Sequence, residues 1–521
     1  MLSVCVLAAL AIAASMWRLR LFITARKTPG GLKDLPGPKG YPIIGSILEF
    51  PKTFSYHKFK DWSDKYGPIF QVKILGTTHV VISDVEIAND LLALRGSCYS
   101  DRPRIVMLHE LVSRYGNLGS SPQNEYWKNG RKFSSTTLSS NALEQWSAVQ
   151  VNQAARLVYD LVSDVSKYEY LFERYSATVA LRVLYNKSLS RWEEKEHLDK
   201  IAAIVRTLER TGAPGAYLVD FMPLLKYLPS WLAPFKAEAN RLHEFEYSYF
   251  RNLLVEGQQH FRSENDNAKR PQALIQAYVS NKGSWNLSDF EIAYVMGTLL
   301  EGGSGTTSSA MQSYCLAMWH YPDWQKKVQD EIDRVVGDRL PSFDDWPDLP
   351  TVRAVMKETI RWRPVVPGGI PHRATKDDTY NGFFIPEGAT VHANQYAMFK
   401  NEATYPDAEA FNPERWLNPN YPTYQEPLTQ YPNLKRFPAF GFGRRICPGL
   451  VLAERSLFIE ISMLMWLCSV RKKVDEEGQV IPVPWYDYKP GNNTGPNRFD
   501  FEVEVRDEQR LQILTNVVGI S

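Results

Sequence analysis

The sequence predicts a mainly α fold with small β-sheets, built as a single large domain. Three observations carry this. Apolar repeats of helical period run from Leu143 to Val162, Phe290 to Trp319 and Trp324 to Val336, while strand-like stretches are short, near Ile69 to Ile74, His79 to Ile82 and Phe383 to Val391. No internal repeat, low-complexity tract or Gly/Ser linker divides the chain between Phe50 and Ser521. The 521 residues, which at about 150 per domain would allow three to four domains, therefore read as one. A content of 44% hydrophobic, 23% charged and 12% aromatic residues excludes a disordered chain or a disulfide scaffold.

Charge and cysteine use narrow the function. Sixty basic against 58 acidic residues leave a formal charge of +2, which supplies no global field for nucleic acid, so no nucleic-acid partner is expected. The five cysteines, Cys5, Cys98, Cys315, Cys447 and Cys468, form no C-x-x-C or zinc spacing. A reducing compartment fits, and any cysteine that does chemistry acts alone, as a nucleophile or as a single thiolate ligand.

Residues 1–17 carry no charge and are almost all apolar or small, and Arg18, Arg20, Arg26 and Lys27 follow. At 1.5 Å per residue the run spans roughly 25 Å, close to a hydrocarbon core, and the charges behind it keep everything downstream on the cytosolic side. It is expected to be a single-pass membrane anchor. A cleaved signal peptide is the rival, with Ala11-Ile12-Ala13 resembling a cleavage site, but a charged segment before the apolar run is missing. Residues 18–45, basic and then proline-rich through Leu35-Pro36-Gly37-Pro38, are expected to be a hinge, and 46–521 the catalytic domain.

Ser288-Asp289-Phe290-Glu291 has the form of a capping box and opens a helix of about thirty residues. Its middle, Glu301-Gly302-Gly303-Ser304-Gly305-Thr306-Thr307, holds three glycines, each costing roughly 0.5 to 1 kcal/mol relative to Ala. Either a flat ligand lies against this backbone or another helix crosses it closely.

The stretch Phe440-Gly441-Phe442-Gly443-Arg444-Arg445-Ile446-Cys447-Pro448-Gly449 surrounds one cysteine with glycines and arginines, a setting that stabilises a thiolate. A dinucleotide loop is excluded because position 446 is Ile where the third glycine would stand. This stretch resembles the haem-binding loop of the cytochrome P450 family, F-x-x-G-x-R-x-C-x-G, at all five fixed positions: Phe440, Gly443, Arg445, Cys447 and Gly449. The resemblance implies the cytochrome P450 fold, haem b as cofactor, and Cys447 as the axial thiolate of its iron.

Further segments match in chain order. Glu358-Thr359-Ile360-Arg361 is similar to the family's E-x-x-R, and Pro413-Glu414-Arg415-Trp416 to its P-E-R-F, which implies a structural network of Glu358, Arg361 and Arg415. Trp127 to Arg131 resembles W-x-x-x-R and Pro371-His372-Arg373 another polar segment, so Trp127, Arg131, His372 and Arg445 are implied to bind the haem propionates. The family's distal helix usually reads A/G-G-x-D/E-T. Here Gly305 stands where the acid belongs, and Thr306 matches the alcohol. Glu301, one turn earlier, restores a carboxylate through a bridging water, or contacts substrate, or faces solvent.

The implied function is haem-thiolate monooxygenation of a small to medium apolar substrate, in the style of fungal secondary metabolism, with an aromatic polyketide as one candidate. A peroxide-rearranging member of the family and a non-catalytic haem sensor are the alternatives. Pocket positions by resemblance are Met107, Leu108, Tyr294, Thr298, Glu301, Val366 and Gly368. Gly212 to Phe235 carries Pro223, Leu224, Tyr227, Trp231 and Leu232, which suits either a flap that dips into lipid or a buried helix pair. The chain has no flavin or nicotinamide fingerprint, so electrons are expected from NADPH through a separate membrane-bound reductase, docked on Lys128, Lys132 and Arg444 unless these are merely solvated lysines and arginine. The expected location is the endoplasmic reticulum membrane, with the catalytic domain facing the cytosol.

Overall fold

The structure is a computed structural model, and it describes residues 28–42, 44–189, 191–213, 215–263 and 271–519. The expected anchor, residues 1–17, lies outside the described residues. Among those described, no helix is long and apolar enough to cross a membrane. The proline-rich run packs against the body: Leu35 is buried, the Pro36 carbonyl accepts the Gln71 N–H at 2.8 Å, and Lys33–Asp34 pairs in parallel with Phe383–Ile385.

The fold is mainly helical with small sheets. Its axis is the helix Asp289–His320, which opens as the capping box requires: Ser288 accepts from the Glu291 N–H, and Glu291 Oε2 accepts the Ser288 N–H at 2.8 Å. Apolar side chains surround nearly its whole circumference, so it is buried on all sides and not amphipathic. Helices Tyr168–Tyr185 and Leu450–Leu467 pack against it, Ser147–Ser163 packs on those two, and all form one large core with Pro322–Val335 and Pro350–Trp362.

A four-stranded sheet stands beside this bundle in the order Ile69–Ile74, Thr77–Ile82, Thr390–Ala393, His372–Arg373. The first pair is antiparallel with Phe70 opposite Val81, and the last is antiparallel with His372 opposite Val391, which fixes His372 at the sheet's inner edge. The stretch Phe383 to Val391 is two strands in different sheets, Phe383–Ile385 and Thr390–Ala393, because Pro386 and Gly388 (φ 83°) break the ladder between them. Likewise Leu143 to Val162 is two helices, Ser140–Glu144 and Ser147–Ser163, separated at Trp146.

Candidate functional site

The cysteine loop is held in a single shape. The Cys447 N–H donates to the Phe440 carbonyl at 2.8 Å, and Gly443 adopts φ 57° with its α-carbon facing Leu92, whose carbonyl oxygen would stand 2.1 Å from a Cβ. Only glycine fits there. Protein encloses Cys447 on every side, yet its surface is open, so it faces an interior hollow. Burial pushes the thiol up, while the N–H groups of Gly449 and Leu450 and the charge of Arg131 pull it down. Two N–H donors and a nearby cation are what a bound thiolate needs.

The glycine run of the long helix is open on one side. Gly302 is exposed in the midst of an otherwise buried helix, and a Cβ there would meet no atom within 4 Å. Thr306 Oγ1 donates to the Gly302 carbonyl at 2.8 Å, which leaves its lone pairs free to accept from a water. Gly303 is the close-crossing partner: its Cβ would touch Ala180 at 3.4 Å. The close crossing is therefore at Gly303, while Gly302 leaves open space beside its backbone. At Gly305 a Cβ would stand 3.1 Å from Asn493 Nδ2, so the place of the family's acid is approached from outside the helix by an amide whose Oδ1 is buried without a partner.

At one edge of the hollow the cations converge. Arg445 donates to the Ser100 carbonyl at 2.8 Å and the Ser121 carbonyl at 2.7 Å, and Arg131 donates to the Ile446 carbonyl at 2.6 Å. Arg102, which sequence reasoning missed, donates to the carbonyls of Gly119 (3.0 Å), Ile370 (2.8 Å) and Pro371 (2.6 Å). Burial, and then the neighbouring Arg102 and Arg131, push Arg445 down to about 8; burial and Arg131 push Arg102 down to about 9. The acid nearest them, Asp101, is already engaged by Arg373 at 2.9 Å. His372 donates Nδ1–H to the Tyr99 carbonyl at 2.8 Å and is pushed down to about 3 by burial and Arg102. Its Nε2 is then an acceptor, and becomes a donor when a carboxylate beside it favours a second proton. Trp127 Nε1 is buried with no partner.

Haem b fits these residues. An orphaned indole donor and three crowded guanidiniums match two buried carboxylates, the bare Gly302 backbone matches a flat ring, and Cys447 matches its metal. The signal for Arg102 was present but unperiodic: a charged residue in the apolar-flanked turn Ser100-Asp101-Arg102-Pro103.

The structural network closes on Glu358, which is fully buried. It accepts from Arg361 Nε and Nη2, both at 2.8 Å, from Arg415 Nε at 3.3 Å, from the Asn412 N–H at 2.8 Å and from Trp416 Nε1 at 3.1 Å. Trp416, standing where the family has a smaller aromatic, thus adds a donor.

The pocket positions separate. Thr298 Oγ1 accepts the Leu118 N–H at 3.1 Å, and Glu301 Oε2 accepts from Asn117 Nδ2 at 3.1 Å, so both are turned to the loop that precedes Glu125–Thr137. Glu301 is buried and does not face solvent. Tyr294 is packed among His243, Tyr247, Phe250 and Phe290 and does not line open space. Met107 packs with Val219 and Ala239 beneath the 212–235 segment, and Leu108 lies 3.2 Å from a Cβ at Gly212. Val366 and Gly368 are half-buried, and Gly368 stands beside Tyr56. Within the 212–235 segment, residues 218–232 form short helical turns with Leu218, Tyr227 and Trp231 exposed at 73%, 74% and 66%, not a buried helix pair.

The family model for cytochrome P450 matches residues 35–483, and the chain belongs to that family. It is 32% identical over 465 residues to cytochrome P450 monooxygenase 58 of Postia placenta, covering 88% of this chain and 86% of the relative. It is also 32% identical over 492 residues to cytochrome P450 monooxygenase psoD of Aspergillus fumigatus, with 92% of each covered, and 34% identical over 490 residues to cytochrome P450 monooxygenase COX2 of Coprinopsis cinerea, with 91% of this chain and 90% of the relative covered.

Proposed function

We propose that this protein is a haem-thiolate monooxygenase that inserts one oxygen atom of O₂ into a small to medium apolar substrate of fungal secondary metabolism. The observation that carries it is Cys447, cradled by the Gly449 and Leu450 N–H groups beside the convergent guanidiniums of Arg102, Arg131 and Arg445. Three fungal relatives named as monooxygenases support it. Cys447 ligates the iron, and Trp127, Arg102, Arg131, His372 and Arg445 hold the propionates. Bound haem supplies the redox centre at which O₂ is reduced, the second oxygen leaving as water with two protons and two electrons. Thr306 orders a water for proton delivery, and Glu301 supplies the proton that Gly305 cannot.

Electrons come from NADPH through a membrane-bound reductase. Lys128, Lys132 and Arg444 are exposed around the cysteine loop and offer it a basic face. Residues 1–17 anchor the chain in the endoplasmic reticulum membrane with 46–521 in the cytosol, and the exposed Leu218, Tyr227 and Trp231 rest in lipid. Reconstitution with NADPH, reductase and O₂ tests the reading: an oxygenated product supports it. Turnover of an organic peroxide without NADPH, and none with it, identifies the rearranging enzyme instead.

A further inference from the structure

Behind Glu301 lies a second buried carboxyl. The helix Pro234–Ser263 crosses Asp289–His320 where Phe250 sits on Gly297, with 2.4 Å from a Cβ at Gly297 to the Phe250 ring. His243 Nδ1 lies 3.2 Å from the Tyr294 hydroxyl at the same crossing. Glu246, one turn before Phe250, and Glu301, one turn after Gly297, flank this contact, at 5% and 7% exposure.

Neither carboxyl has a cationic partner among the described residues. Glu301 receives the single bond from Asn117, and its Oε1 is buried with none. The groups that face the pair are neutral: Tyr294 and Tyr185 hydroxyls, His243 and the Asn117 amide. The nearest cation acting on the cluster, Arg114, is engaged with Asn240 Oδ1 at 3.4 Å. Two buried carboxylates without a cation do not both ionise. Burial pushes Glu246 up to about 8, and burial together with the field of Glu246 holds Glu301 well above the usual carboxylate range.

We propose that Glu246 is a positioning residue for proton delivery: both carboxyls of the buried pair keep their protons at neutral pH, which keeps Glu301 an acid and lets Glu246 reload it. Glu301 gives its proton to the water held by Thr306 and becomes a carboxylate. The proton of Glu246 then passes to Glu301, and one proton from bulk water restores the pair. Tyr185, whose buried hydroxyl has no partner and lies within the field of Glu301, also lines a surface cavity of about 640 Å³ with Lys187 and Glu256.

The inference rests on Glu301 as the donor in the proposed reaction, and its test reads the proton directly. In the full-length, haem-loaded protein, infrared difference spectra between wild type and Glu301→Gln isolate the Glu301 acid band across pH 5 to 10. A band present at neutral pH is expected, lost at a midpoint above neutrality. Glu246→Gln should lower that midpoint by about one pH unit, because a like charge is removed. It should also raise the peroxide-to-product ratio several-fold with the substrate-induced haem shift unchanged, and Glu246→Asp should fall between. An unchanged midpoint in Glu246→Gln, or no acid band at neutral pH, overturns the proposal. Should Glu246→Gln fail to take up haem, Glu246→Asp against wild type decides by the same direction. Absent NADPH turnover would sink the proposed reaction while leaving the infrared titration readable.

Discussion

The Arg445 guanidinium lies 4.1 Å over the Trp127 ring while the indole Nε1 of Trp127 is buried with no partner. The stack holds a cation against an indole whose donor is free, a pairing that suits an anionic ligand. Trp127→Phe keeps the stack and removes the donor. It should weaken haem retention by about 1.5–3 kcal/mol, roughly ten- to a hundredfold in transfer to apomyoglobin. Arg445→Lys loses the fork that bridges Ser100 and Ser121, and should weaken it more.

Gly302 separates haem binding from helix stability. A Cβ there meets nothing in the protein, so Gly302→Ala should stabilise the haem-free chain by about 0.5–1 kcal/mol through helix propensity. The same methyl stands on the backbone that a flat ring would contact, so haem occupancy after reconstitution should fall. Denaturant midpoints of the apoprotein and haem content of the holoprotein should move in opposite directions.

Glu358 satisfies two arginines, an indole and a backbone N–H inside the core. Glu358→Gln leaves two buried guanidiniums without their counter-charge and should cost about 3–5 kcal/mol. Urea denaturation followed by circular dichroism should show the loss, and cells should yield little haem-loaded protein.

What the sequence showed and what it hid divides by range. The loop from Phe440 to Gly449 and the capping box at Ser288 are set within ten residues, so their spacing could be read directly, and the helix they imply starts where Ser288 places it. Arg102 reaches the site only because its loop crosses the carbonyls of Gly119 and Pro371, and Glu301 meets Asn117 from 184 positions away. No local period records such meetings. Tyr294 was assigned to the pocket by position along its helix, but its rotation turns the ring into the His243 and Phe250 cluster. The break at Trp146 and the split of Phe383 to Val391 between two sheets were hidden because apolar content continues across both.

Proton delivery gives a coupled pair of substitutions. Thr306→Ala and Glu301→Gln should each keep haem and divert NADPH consumption toward peroxide by about ten- to a hundredfold relative to product. Their double variant should be less than additive if both serve one water. Weakened substrate binding in Glu301→Gln with no rise in peroxide would make Glu301 a substrate contact.

The central claim is that Cys447 alone ligates haem iron as a thiolate. The measurement that tests it most directly is the absorption spectrum of the reduced, carbon-monoxide-bound protein. Wild type should show the thiolate-type band, as should the Cys98→Ala, Cys315→Ala and Cys468→Ala variants, whose cysteines are buried. Cys447→Ser should lose it while still expressing, since a serine oxygen is a far poorer donor to the iron. A thiolate-type band retained in Cys447→Ser would contradict the account.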